Sequence, residues 1–323
     1  MFWVWSLIAV FAVVAISICY PLAVSLLMPA VDVQRKYRVD GRERTKVFVS
    51  GGSSGIGKEL VLRLLRQKCV VVSVSLERMA CKDDEEKAFV ELCRTDGSLV
   101  EEIANFACRE DTLRVIGWLE RAHSDVSVAF LNAGFGYAEQ FGEMDAQFAL
   151  DSIETNVVAH VLLAQHFVRA FKELPGGRKG LVVTSSSMGH LPVSNSELYC
   201  ASKSFLERFA LSLAPKLRSD CDTDVLVVLP GAVRSAFFSK IPEVSVLKPV
   251  KLLAQDCASC VDVMLRCLGR PFVVAVDSGL FAYMASIADR WLSPNLLCEC
   301  YRLFVWCGKR WFGDYINVSK KQS

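Results

Sequence analysis

A short β-type run, Lys46-Val-Phe-Val-Ser50, leads directly into Gly51-Gly-Ser-Ser-Gly-Ile-Gly57 and then into an apolar-periodic stretch from Glu59 to Leu65. Strand, glycine turn and helix in that order leave a chain few folds, because the helix must start where the strand stops. The glycines let backbone approach a pyrophosphate, and the positive end of the new helix attracts it. Gly51, Ser53, Ser54, Gly55, Ile56 and Gly57 are therefore candidate phosphate-binding residues. Their spacing is G-x-x-x-G-x-G, not the commoner G-x-G-x-x-G.

Strands and helices continue to alternate. Cys69 to Val74 is a β-branched run suited to a parallel strand buried on both faces. Asp111 to Ala122 has helical spacing at Leu113, Ile116 and Leu119, and Val126 to Leu131 reads as the next strand. A long helix is expected over Ile153 to Phe171, a strand over Leu181 to Thr184, a helix over Ser196 to Leu217 and a strand over Asp224 to Leu229. The pattern predicts an α/β, Rossmann-type doubly wound parallel sheet with its ligand at the carboxyl ends of the strands.

The helix from Ser196 carries Tyr199 and Lys203, one turn apart and so on one face. An ammonium near a phenol lowers its pKa from about 10, which makes tyrosine a usable general acid. Ser186 lies 13 residues upstream of Tyr199, where Leu181-Val-Val-Thr-Ser-Ser runs out into a loop.

Ser50-Gly51-x-x-x-Gly55-Ile56-Gly57, Asn132-Ala133-Gly134, Asn156, Ser186, Tyr199-x-x-x-Lys203 and Pro230-Gly231 together resemble the ordered motifs of the short-chain dehydrogenase/reductases. The resemblance runs from about Val47 to about Ser235. It implies that Tyr199 donates a proton to a carbonyl oxygen, that Ser186 hydrogen-bonds the same oxygen, and that Lys203 holds the nicotinamide ribose. It also implies that Asn156 binds a relay water, that Asn132, Ala133 and Gly134 support the sheet beside the cofactor, and that Pro230, Gly231 and Ser235 pack on the nicotinamide. Homodimerisation through the Asn156 and Tyr199 helices is a further implication. A non-catalytic dinucleotide-binding scaffold is the rival of another class.

Cofactor choice turns on Ser73-Val-Ser75-Leu76-Glu77-Arg78. Ser75 and Arg78 suit a 2′-phosphate, whereas Glu77 suits an unphosphorylated ribose; NADPH is expected because the resemblance implies reductive lipid synthesis, which draws on that pool, with NADH possible. Leu76 stands where the resembling reductases usually carry arginine. Asn105 stands where the family usually has an aspartate touching adenine; it keeps the carbonyl acceptor.

The first 31 residues carry no charged side chain, more than the ~20 a spanning helix needs. Residues 1–31 are expected to be a transmembrane anchor, 32–45 a basic linker, 46–270 the catalytic domain, and 271–323 a hydrophobic, membrane-associated helical region. Arg35, Lys36, Arg38, Arg42, Arg44 and Lys46 follow the span, which places the catalytic domain in the cytosol. The 13 cysteines fit that reducing side, and Cys257-x-x-Cys260 reads as thiols; no metal site is expected. Lys320-Lys321 near the end resembles a dilysine retrieval signal, giving an endoplasmic reticulum membrane location. A net charge of +2 with mixed signs gives no reason to expect nucleic acid as a partner.

Within the family, the uncharged N terminus and the Gly-Gly-Ser-Ser-Gly-Ile-Gly-Lys run most resemble reductases of long-chain sphingoid ketones. That implies a long-chain lipid ketone as substrate and membrane lipids as partners. A steroid or retinoid dehydrogenase is the enzymatic rival. The apolar stretch Ala236 to Val250 reads as a lid over a greasy ligand or as ordinary packing. Arginine and lysine among the aromatics of Tyr301 to Phe312 suit a helix lying in the headgroup region, or else a helical cap or dimer contact.

Overall fold

The computed structural model describes residues 19–235 and 253–312, with side chains as far as 307. Most of the expected anchor (1–18), the expected lid (236–250) and the dilysine tail lie outside the described residues. Elements follow in the order α1 (19–27), α2 (Val33–Lys36), β1 (Lys46–Ser50), α3 (Gly55–Arg66), β2 (Val70–Ser75), α4 (Asp84–Thr95), β3 (Leu99–Ile103), α5 (Arg109–Ala122) and β4 (Val126–Leu131). Then come α6 (Ala146–Ile153), a π-turn (Glu154–Val158), α7 (Ala159–Glu173), β5 (Lys179–Thr184), a 3₁₀ turn (Ser187–His190), α8 (Glu197–Cys221), β6 (Thr223–Pro230), α9 (Cys257–Cys267), β7 (Ala275–Ser278), α10 (Leu280–Trp291) and α11 (Pro294–Phe312).

The seven strands form one sheet in the order β3-β2-β1-β4-β5-β6-β7, parallel throughout. Strand order reverses between β1 and β4, which opens a crevice at their carboxyl ends. Side chains alternate along each strand between two cores. Val47, Val49, Val71, Phe130 and Val228 face α3 and α9. Phe48, Val72, Leu131, Val183 and Val227 face α5, α7 and α8. The doubly wound parallel sheet is thus as expected.

Several details differ from the sequence reading. The edge strand β3 and its preceding helix α4 fall in a stretch assigned no element, because Glu101 and Glu102 interrupt the apolar run. The helix expected over Ile153 to Phe171 is broken by the π-turn, where the Ala159 N–H bonds to the Glu154 carbonyl. β7 and α10 lie beyond residue 270 yet belong to the sheet and its cover. Residues 32–45, expected as a basic linker, pack on the domain: Val33, Tyr37 and Val39 are buried, and the Tyr37 hydroxyl donates to Asp224 at 2.9 Å. Among the described residues no helix is long and apolar enough to cross a membrane.

Candidate active site

Five strand ends converge on the crevice. At the end of β1 the Ser50 hydroxyl oxygen accepts the N–H groups of Asn132 (2.9 Å) and Ala133 (3.0 Å), locking the Asn-Ala-Gly loop to the glycine turn. Gly57 must be glycine, since a Cβ there would lie 2.0 Å from the Gly51 carbonyl oxygen. Gly55 has φ +56 and opens outward, and the nearest atom a Cβ would meet is Ser235 Cβ at 3.5 Å. The turn after Pro230-Gly231 therefore faces the glycine turn. Ser54 precedes α3 without a side-chain cap, so the first-turn N–H groups, Ile56 among them, form a cradle suited to a pyrophosphate. The residues present fit a dinucleotide here.

The second strand's end is more mixed. The Ser53 N–H donates to Ser75 Oγ at 3.1 Å, so Ser75 is tied to the glycine turn while its own hydroxyl proton remains to donate. Leu76 is exposed, as are Glu77 and Arg78. Asn105 is exposed too, and its side-chain carbonyl accepts the Ala107 N–H at 3.0 Å, capping its own loop.

Around the catalytic motif every polar group is buried. Ser186 ends the run from β5; its Oγ accepts the Met188 N–H at 3.2 Å and donates to the Pro230 carbonyl at 3.4 Å. The Tyr199 hydroxyl is hydrogen-bonded to Ser186. Lys203 donates to the Thr184 carbonyl at 3.0 Å and lies 5.6 Å from the Tyr199 ring centroid. Gly134 closes the group, because a Cβ there would lie 2.9 Å from Asn156 Oδ1 and 3.4 Å from Lys203 Nζ. The neighbouring serines separate cleanly: Ser185 Oγ donates to the Lys203 carbonyl at 2.5 Å, and Ser187 Oγ is buried with no hydrogen-bond partner among the described residues.

Asn156 sits in the π-turn with its side chain wholly buried. Its Oδ1 accepts the Phe135 N–H at 3.0 Å and its Nδ2 donates to the Phe135 carbonyl at 2.8 Å. Both ends of the amide therefore hold the loop that carries Gly134. Asn132 does similar work, with Nδ2 3.4 Å from the Ser50 carbonyl and Oδ1 accepting Thr184 Oγ1 at 3.2 Å.

Electrostatics differ from the expectation for the Tyr–Lys pair. Burial pushes the Tyr199 phenol up to about 12, against the lowering effect of the Ser186 hydrogen bond. Burial also pushes Lys203 down to about 8. The ammonium bonds to the Thr184 carbonyl, and desolvation dominates both groups. His160, pushed down to about 3 by burial and by Lys203, is neutral beneath them.

Sequence reasoning missed Phe135, Thr184 and Tyr137. Tyr137 anchors the start of α8, its hydroxyl accepting the Leu198 N–H at 3.0 Å and its carbonyl accepting Ser196 Oγ at 2.8 Å. Phe135 acts at this site through its backbone carbonyl and N–H, which leave no mark on residue type, whereas Thr184 uses both its carbonyl, to Lys203, and its hydroxyl, to Asn132. Thr184 alone had a signal, as a polar residue ending an apolar strand.

A parallel sheet with a glycine cradle at its switch point, and a buried tyrosine, serine and lysine beside it, defines a doubly wound α/β protein with an anion site. Residues 45–244 match the short chain dehydrogenase family, and the chain belongs to it. It is similar to the very-long-chain 3-oxoacyl-CoA reductase of Candida albicans, 28% identical over 258 residues, covering 75% of this chain and 68% of that protein. It is 28% identical over 210 residues to the human 17-beta-hydroxysteroid dehydrogenase type 1, covering 61% of this chain and 60% of that one. It is 26% identical over 211 residues to the 3-ketodihydrosphingosine reductase of Dictyostelium discoideum, covering 59% and 62%. For the last two, the match spans less than two thirds of the relative's length. Among solved structures, a 7beta-hydroxysteroid dehydrogenase superposes with TM-score 0.67 at 18% identity, over 85% of this chain and 100% of that one. A short-chain dehydrogenase from Sphingobium yanoikuyae in complex with NADPH gives 0.60 at 21% identity, over 86% and 98%. At these identities the two structures show the fold.

Proposed function

We propose that this chain reduces a long-chain lipid ketone with a nicotinamide dinucleotide, specifically 3-ketodihydrosphingosine to dihydrosphingosine with NADPH. The observation that carries the reading is the hydrogen-bonded Tyr199–Ser186 pair, buried beside Lys203 and next to the glycine cradle. The cofactor, when bound, supplies the hydride. Tyr199 Oη then gives its proton to the carbonyl oxygen, and Ser186 Oγ–H bonds that oxygen as charge develops there. Lys203 holds the ribose, and its ammonium charge favours release of the phenol proton. Gly51, Gly55, Ile56 and Gly57 bind the pyrophosphate, Ser75 and Arg78 the ribose phosphate, and Asn105 the adenine. Two relatives whose names specify a 3-oxo group on a long chain or a sphingoid ketone support the substrate.

A steroid dehydrogenase is the second reading, favoured by the exposed Glu77 next to Leu76 and by the human relative. We further propose that the uncharged N terminus anchors the protein in the endoplasmic reticulum membrane, with the catalytic domain on the cytosolic side. Turnover is tested on the full chain in mild detergent, following nicotinamide absorbance with 3-ketodihydrosphingosine and with NADPH or NADH in parallel. Turnover that Tyr199→Phe loses supports the reading. Cofactor binding without turnover on this ketone ends it; steroid panels then decide between the rival enzyme and a scaffold.

A further inference from the structure

α10 has two unlike faces. Ala282, Ala285 and Ser286 are buried, while Leu280, Met284, Ile287 and Trp291 are 58%, 55%, 51% and 68% exposed. The exposed four recur at helical spacing and form one apolar stripe. The end of α1 lies alongside. Val24 and Ser25 are buried; Ser25 Oγ shares a hydrogen bond with the Tyr283 hydroxyl at 3.0 Å, and Arg266 donates to the Ser25 carbonyl at 3.0 Å. Tyr283 stands between Leu280 and Ile287 on its helix, so the 62%-exposed Leu26 and 81%-exposed Leu27 extend the stripe.

We propose that this combined face of α1 and α10 seats on a phospholipid bilayer and presents the active-site mouth to it, so that substrate arrives from lipid and not from water. The occupant is identified by continuity: the 31-residue stretch without charge crosses this surface at Leu26 and Leu27 before it is buried at Val31. A tryptophan at the rim, beside the exposed Arg290, suits the headgroup region. The mouth is tied to α10 and to the helix that follows it. Asp289 of α10 is 3.1 Å from His190 Nδ1, and the Tyr301 hydroxyl of α11 accepts the Ser194 N–H at 3.2 Å. His190 and Ser194 both lie on the loop from Ser186 to Tyr199, so α10, which meets lipid, also braces the wall of the site, with α11 beside it. The inference rests on the proposed lipid substrate for its purpose, but its test does not.

The full chain is reconstituted in phosphatidylcholine vesicles with and without brominated acyl chains, and tryptophan emission is compared between the wild type and Trp291→Phe. The expected result is that bromine removes most of the emission that the substitution subtracts. An anchor that merely tethers the domain leaves Trp291 in water and that emission unquenched, which overturns the proposal. A second copy covering the face gives the same unquenched signal together with an Ile287→Glu-sensitive dimer in light scattering, and overturns it equally. Quenching without turnover on 3-ketodihydrosphingosine leaves this inference standing while ending the substrate assignment.

Discussion

At the amino ends of the strands Asp224 is 5% exposed, and at the carboxyl ends Lys203 is 3% exposed, yet their surroundings are opposite. Asp224 accepts from the Tyr37 hydroxyl and pairs with Arg218, with Lys36 at 3.8 Å and with Arg178 at 3.8 Å. Among the described residues Lys203 has no carboxylate partner, and burial alone displaces its pKa. A buried charge matched by its neighbours is costly to strand; one left unmatched is held at a cost to stability and is available for chemistry.

The sharpest way to break that contrast is Tyr199→Phe. It removes the acid but keeps the ring against Lys203, so turnover should fall by about 10³-fold with thermal unfolding nearly unchanged. A comparable loss of stability would instead make the tyrosine structural.

Asp224→Ala should do the reverse. It strands Lys36, Arg178, Arg218 and the buried Tyr37 hydroxyl, and should destabilise by about 3 kcal/mol, the low end for a broken buried pair because both arginines reach solvent. Denaturant unfolding reads the loss, and cofactor affinity at temperatures where the protein stays folded should not move.

Lys203→Met is smaller and has an unusual sign. The folded lysine titrates at about 8, below its ordinary 10.5, so between those values the unfolded chain holds a proton the folded one releases. The penalty is therefore full below pH 8 and fades as pH rises to 10.5. Removing the amine should abolish turnover but stabilise the protein at pH 7 by ~2 kcal/mol, after subtracting the lost Thr184 hydrogen bond. The gain should shrink by pH 10; a pH-independent difference would contradict the buried charge.

The smallest expected effect concerns exposed charge. Glu77→Gln should raise the NADPH-to-NADH preference by about 10-fold, measured as a ratio of kcat/KM values, with no change in stability.

What the sequence made legible follows the same division. β1, β2, β4, β5 and β6 are buried on both faces and announce themselves as apolar runs. β3 does not, because Leu99-Val-Glu-Glu-Ile103 is an edge whose glutamates pair with Arg94 and Arg114. In β7 the aspartate at 277 looks like a break in a greasy stretch, although it accepts Ser286 Oγ at 2.6 Å inside the fold. Ser186, Tyr199 and Lys203 were readable because their spacing is local. The π-turn at Asn156 was not, since an inserted residue leaves the apolar composition unchanged. Nor was the role of Tyr37, whose partner lies 187 positions further along the chain.

That last separation governs how the molecule is made. Tyr37 waits for Asp224, and Lys36, which donates to the Gly269 carbonyl at 2.5 Å, waits across 233 positions. The amino-terminal wrap can close only after most of the polypeptide has been synthesised, so it belongs among the late steps of folding. Until then the Tyr37 hydroxyl lacks its acceptor, and a nascent chain stopped before β6 would leave Tyr37 and Lys36 without these partners.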